Sequence, residues 1–255
     1  MNSMVSVSAF AAALDAANHD LGCNGIGTLH ERTLHLALKY YFAPDPSCHE
    51  QSLGGFVADA VTEEGVIEIQ TRNLARLKEK LQAFLPLCPV TVVHPICTPK
   101  WILWVDENGV IQSKRKSPKK ETVYTALREL YGLRDFLSHP NLRIALCETE
   151  VEIYRCLNGH GKQKKIHGEH IDRVPIALHH IHSFASPADY MHLLPQTLPT
   201  PFTAAMLASD CTIAVDDARI LINLLRRFSM VEQIGTQNRA RLWQYTPLAC
   251  EIIGG

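Results

Sequence analysis

At 255 residues, 46% hydrophobic and 20% charged, the chain has the composition of a folded globular protein, with room for one large domain or two smaller ones, not that of a disordered segment. Its formal net charge of −1 hides an asymmetry: residues 1–70 carry two Lys/Arg (Arg32 and Lys39) against nine Asp/Glu, which leaves the remainder about +6. An acidic start followed by a basic body suits a phosphate-rich substrate, and no apolar run is long enough to span a membrane.

The first apolar stretch, Val5–Leu14, resembles a signal h-region only superficially. No Lys or Arg precedes it and Asp15 follows at once, so an amphipathic helix is the expected reading. A Gly-rich turn, Gly22 to Gly27, lacks the Lys-Ser/Thr of a phosphate loop and reads as a helix terminator and linker, closing an N-terminal segment of residues 1–27. Thr28 then opens a helix, with Glu31 completing a capping box and Leu34, Leu38 and Tyr41 at core spacing. Cysteines 23, 48, 88, 97, 147, 156, 211 and 250 are scattered, with no C-x-x-C pair. Reduced thiols in a cytoplasmic protein are the expected reading, with a zinc site as the alternative.

Gly55–Ala60 and Val66–Gln70 read as two apolar strands joined by the turn Thr62–Gly65. Asp59 closes the first, while Glu68 and Gln70 share one face of the second. Carboxylates on adjacent apolar strands need a reason, because a buried unpaired charge is costly, and a bound divalent metal supplies one. The bland alternative has Asp59 capping a turn, Glu68 paired with Arg72 or Arg76, and Gln70 bonded at a sheet edge.

Asn73–Leu85 follows as a helix, with Leu74, Leu77, Leu81 and Phe84 on one stripe. Val90–His94 is a β-branched run expected to be buried on both faces, and Trp101–Val105 is a further strand before the turn Asn108-Gly109. Lys114, Arg115, Lys116, Lys119 and Lys120 form a basic cluster with two readings: a solvated turn, or a contact with nucleic-acid phosphates. Lys162, Lys164 and Lys165 are a weaker instance, in a polar loop or hairpin tip. Ser117-Pro118 is placed to start a helix over Lys119–Leu137, and Leu142–Cys147 reads as a strand.

The Pro-rich segment 187–201 looks like a domain junction, dividing an α/β domain of residues 28–185 from a small one of 186–255. Within the latter, a short helix (Ala204–Ser209), a tight turn, a helix from about Val215 to Met230, and two strands (Val231–Ile234 and Ala240–Tyr245) follow the order of a winged helix-turn-helix. Arg219, Arg226, Arg227, Arg239 and Arg241 would supply phosphate contacts, although Asp216 and Asp217 oppose tight major-groove binding. Winged helices also serve as protein–protein modules, so a homodimer is a second reading. The histidines show no ligand spacing: His30 and His35 are five apart.

Glu31 on a helix, Asp59 at a strand end and Glu68-Ile69-Gln70 on the next strand, followed by a helix and a buried strand, resemble the PD-(D/E)xK nuclease superfamily over roughly residues 28–105. The resemblance implies a mixed β-sheet flanked by helices of restriction-endonuclease type. It also implies magnesium, or manganese, held by Asp59, Glu68 and the Ile69 carbonyl with Glu31 assisting, and hydrolysis of phosphodiester bonds, with DNA the expected substrate. Gln70 stands where the family usually has Lys. Gln can orient a water but brings no positive charge. A binding or regulatory protein that has lost the chemistry is therefore the alternative on the same fold.

Overall fold

The computed structural model describes residues 2–3, 5–22, 33–106, 108–156 and 169–254. The expected linker 23–27, the Thr28–Glu31 capping box and Lys162, Lys164 and Lys165 lie outside them. Apolar alternation builds a mixed eight-stranded sheet in the order β1-β8-β7-β5-β4-β3-β2, with β6 also paired to β5. Its strands are β1 (Asn2–Ser3), β2 (His49–Leu53), β3 (Phe56–Thr62), β4 (Gly65–Ile69), β5 (Val90–Val105), β6 (Ile111–Lys116), β7 (Leu142–Cys156) and β8 (Glu169–Phe184). The central strands β4, β5 and β7 run parallel, and the other pairings are antiparallel. All five residues of β4 are buried, as a parallel strand covered on both faces must be.

Helices cover the two faces. On one, α1 (Val7–Asp20) and α2 (Thr33–Phe42) lay Phe10, Leu34 and Leu38 against Ile67, Ile69, Val93, Ala145 and Cys147. On the other, α3 (Lys78–Phe84) and α4 (Val123–Leu130) place Leu81, Phe84, Leu127 and Leu130 against Val66, Val92, Ile144 and Leu146. The protein is thus an α/β fold with a mixed sheet flanked by helices. Among the described residues no helix is long and apolar enough to cross a membrane.

Several elements differ from the sequence expectations. The two short strands at Val90–His94 and Trp101–Val105 are one continuous strand, β5, which passes Thr98-Pro99 through a break in its register with β7. The helix expected from Lys119 begins only at Val123. Thr122 caps it in a reciprocal box with Thr125, and Glu121 instead turns its carboxylate to the Cys97 amide and the Lys100 ammonium. The expected helix over Asn73–Leu85 opens as a 3-10 turn, Leu74–Leu77, before α3. Strands β1, β2, β6 and β8 have no counterpart in the sequence reading, β6 standing where the basic cluster was read as a turn.

The chain end holds α5 (Ala204–Asp210), α6 (Val215–Arg227), an antiparallel hairpin of β9 (Val231–Gln237) and β10 (Ala240–Tyr245), and α7 (Pro247–Gly254). Helix, turn, helix and hairpin follow in the expected order, and α7 is an addition. Leu221, Ile222, Leu224 and Leu225 of α6 join the same apolar cluster as α3, α4 and the sheet. The Pro-rich segment contributes Tyr190, Met191, Leu193 and Leu198 to that cluster. Asp217, buried near the start of α6, accepts a hydrogen bond from Arg128 on α4.

Candidate functional site

Gly65 sets up the site. Its φ is +124°, and a Cβ there would lie 2.2 Å from the Pro89 carbonyl oxygen. Only glycine lets β4 enter so close to β5, where the Val66 N–H donates to that same oxygen at 2.9 Å. The β3–β4 ladder then runs back only to the pair Ala60–Ile67. Beyond it, the Asp59 side chain takes over the role of the lost ladder: its Oδ2 accepts the Ile69 N–H at 2.7 Å.

Two carboxylates converge at this end of the ladder. Glu68 is 1% exposed. Its Oε1 and Oε2 each accept a hydrogen bond from Lys80 Nζ at 2.9 Å, and its carboxylate also accepts the Asp59 backbone N–H. Burial, reinforced by the negative charge of Asp59, pushes the Glu68 pKa up to about 7 against the pull of Lys80. Burial also acts to raise Asp59, but His35, the Ile69 N–H and Lys80 outweigh it and hold that carboxyl below its usual range. His35 Nε2 lies 3.3 Å from Asp59 Oδ2. The half-buried Asp59 is thus favoured as the anion while its buried neighbour Glu68 titrates near neutrality.

Gln70 departs from its expected place. It follows β4 rather than closing it, and its side-chain amide donates to the Arg72 carbonyl at 2.5 Å instead of facing Glu68. Its own carbonyl accepts from Nδ1 of His94, a histidine whose pKa burial pushes down. The positive charge that Gln70 cannot bring arrives from α3. Lys80 lies three residues after Leu77 and four before Phe84, on the stripe that faces the sheet, and that spacing was the available signal. His35, one residue after the core position Leu34, carried no comparable signal. Neither Arg72 nor Arg76 is the partner of Glu68. Glu31 lies outside the described residues.

Two oxygen donors of this kind match magnesium, which keeps several waters and takes one or two protein carboxylates. When both are ionised, the half-buried Asp59 and buried Glu68 carboxylates outnumber the one Lys80 ammonium, and a cation would balance the difference. Among the described residues, no group of three His, Cys, Asp or Glu is placed to hold a metal. Two carboxylates alone are short of the four ligands, usually with Cys or His, that zinc takes.

The expected phosphate contacts divide between two places. Lys114, Arg115 and Lys116 lie on the exposed strand β6, and Lys119 and Lys120 are exposed in the loop after it. Lys114 is bound to Glu152 at 2.6 Å, and the ammonium groups of Lys114 and Lys116 lie 5.2 and 5.8 Å from the centre of the Trp101 ring. Arg226 and Arg227 are exposed at the end of α6, where Arg227 pairs with Asp135. Arg239 and Arg241 line a cleft of about 330 Å³ with Arg219, Asn223 and Trp243, between α6 and the hairpin.

Comparison with known proteins gives a relationship without an activity. An uncharacterized protein of Treponema pallidum (strain Nichols) is 30% identical over 223 residues, covering 87% of this chain and 88% of the relative. No solved structure matches. The family model described as Domain of unknown function (DUF8091) matches residues 32–185, a span that includes Asp59, Glu68 and Lys80, and the chain belongs to that family.

Proposed function

We propose that the protein is a metal-dependent phosphodiesterase of nuclease type, with Asp59, Glu68 and Lys80 as its centre. The observation that carries the reading is the convergence of two carboxylates and one ammonium where β3 and β4 part, with Lys80 Nζ 2.9 Å from both Glu68 oxygens. The order of these acids along helix, strand and strand is the one that resembles the PD-(D/E)xK superfamily, and Lys80 supplies from a helix the cation missing at Gln70.

Asp59 and Glu68 would hold magnesium or manganese, and such a cation polarises a phosphoryl oxygen and lowers the pKa of a bound water. Asp59 is fixed in place by the Ile69 N–H and His35. Lys80 would stabilise charge gathering on the phosphoryl oxygens as water adds to phosphorus and the P–O ester bond breaks. With Glu68 engaged in holding the cation, the proton that the water gives up would pass to bulk solvent. The exposed arginines of α6 and the β9–β10 hairpin would hold nucleic acid in the manner of a winged helix.

The test is cleavage of plasmid and single-stranded DNA with magnesium or manganese. Glu68→Gln and Lys80→Met should each lower the rate by at least about 100-fold with the fold retained. Turnover that survives either change assigns the chemistry elsewhere. A second reading, a binding protein without turnover, is favoured by one observation: Lys80 occupies both oxygens of Glu68. In that case DNA binds in a salt-dependent way and neither metal changes the affinity.

A further inference from the structure

Beyond the helix-covered core, β5, β6, β7 and β8 continue as a sheet whose two faces differ in charge. Residues directly opposite in a ladder share a face. Ile102 stands opposite Arg115 and Ile153, Ile153 opposite Arg173, and Trp104 opposite Ser113 and Arg155. On this face the described strand residues include three arginines, a tryptophan and two isoleucines, and no carboxylate; the Glu121 carboxylate reaches it from the loop before α4 and is bound there to Lys100 at 2.7 Å. The adjacent positions, Trp101, Lys116 and Glu152, then Leu103, Lys114, Tyr154 and Asp172, carry the acids of this region on the other face. There Lys114 is already spent on Glu152.

The guanidinium of Arg155 lies 5.8 Å from the centre of the Trp104 ring. Among the described residues its buried Nε has no hydrogen-bond acceptor. Arg115 is exposed one strand away, on the free side of β6, and Trp104 is partly exposed. A half-open indole with arginines around it, on a face whose described strand residues carry no carboxylate, suits a ligand that combines a flat π-system with an anionic backbone. Single-stranded nucleic acid has both, whereas in a duplex the base faces are stacked inside and unavailable.

We propose that this face is a binding platform for single-stranded nucleic acid, with a base stacked on Trp104 and phosphates held by Arg115 and Arg155. The inference sharpens the nucleic-acid part of the reading above, and it moves the contact from the lysines of β6 to the arginine between them. An acidic protein segment would match the charge but not the indole.

The test uses the full chain carrying Glu68→Gln, so that binding is read without turnover. Fluorescence anisotropy is recorded with labelled oligo(dT) of about 20 nucleotides, with a duplex of equal length and with polyglutamate as competitor. Single-stranded binding tighter than duplex binding is expected. Trp104→Ala should weaken it by about 10-fold or more. Arg115→Gln, at an exposed position where folding is not at stake, should weaken it more than Lys114→Gln and reduce the salt slope by about 0.7. A duplex preference, equal loss from Arg115→Gln and Lys114→Gln, or polyglutamate competing as well as oligo(dT) would each overturn the platform. Trp104-dependent binding by a wild-type protein that cleaves nothing would leave the platform standing and sink the nuclease reading. Cleavage without such binding would do the reverse.

Discussion

Glu68 is where the sequence's chemistry and the fold's energetics meet. Its pKa of about 7, against an ordinary 4.5, means that the folded protein keeps this proton at pH values where the unfolded chain has lost it. Stability contributed in this way is complete below pH 4.5 and is lost as pH rises through 7, with a total of about 3 kcal/mol. In EDTA, the melting temperature should therefore decline between pH 5 and 8, and Glu68→Gln should flatten that decline. A slope that is unchanged in the variant would remove Glu68 as its source. Lys80 works in the opposite direction, lowering the carboxyl by charge and by two hydrogen bonds. Lys80→Met should move the Glu68 titration above its wild-type position, read by carbon NMR of the labelled carboxyl. Both acids were legible in the sequence because carboxylates on adjacent apolar strands are conspicuous. Their partners were less so: Lys80 showed only as a position on the helix stripe and His35 not at all, because both reach the acids from other elements.

At the scale of elements, the site depends on how tightly β4 lies against the start of β5. A methyl group at position 65 would meet Pro89 backbone atoms at 2.2 and 2.9 Å, and neither can rotate away as a side chain could. Gly65→Ala should therefore cost about 2–4 kcal/mol in urea denaturation, and under the proposed function it should also lower DNA cleavage, because it moves the strand that carries Glu68. A cost within about 0.5 kcal/mol would show that the strand can shift freely. Helix α4 offers a smaller, local test: Thr122→Ala removes the side-chain half of its capping box and should cost about 1 kcal/mol. The element types read from hydrophobic period were correct for α3, β3, β4, α6 and the hairpin. Boundaries failed where a local signal competed with a tertiary one. Ser117-Pro118 is a good helix start in isolation, yet the chain there is held extended, with the Ser117 N–H donating to the Lys100 carbonyl at 2.8 Å.

Across the whole molecule, apolar packing joins the chain end to the sheet. The α6 leucines share one cluster with α3 and α4, and the contact is fixed by Arg128–Asp217 and by the Tyr124 hydroxyl donating to the Leu193 carbonyl. Burial of that extent couples the two regions energetically, so the full chain should unfold in one transition. Trp243 reports on the chain end once Trp101 and Trp104 are replaced by Phe, and far-UV circular dichroism reports on the whole. Coincident urea midpoints are expected, and separated midpoints would mean that the chain end folds on its own. The pairing of Asp217 with Arg128 also changes the meaning of an acid at the start of α6. Read alone it opposes DNA, but the structure turns it inward, away from any ligand.

The sequence by itself determined the α/β class, the two acids of the site, and the order of helix, turn, helix and hairpin at the chain end. These are local properties: period, turn chemistry and residue type are written within a few positions of one another. Only the tertiary structure decided that Lys80 binds both oxygens of Glu68, that β5 runs unbroken past Pro99, and that Arg115 and Lys114 of one strand lie on different faces. Each of these depends on which distant elements come to lie side by side, and strand pairing and helix docking are set by the burial of the whole core rather than by any single segment.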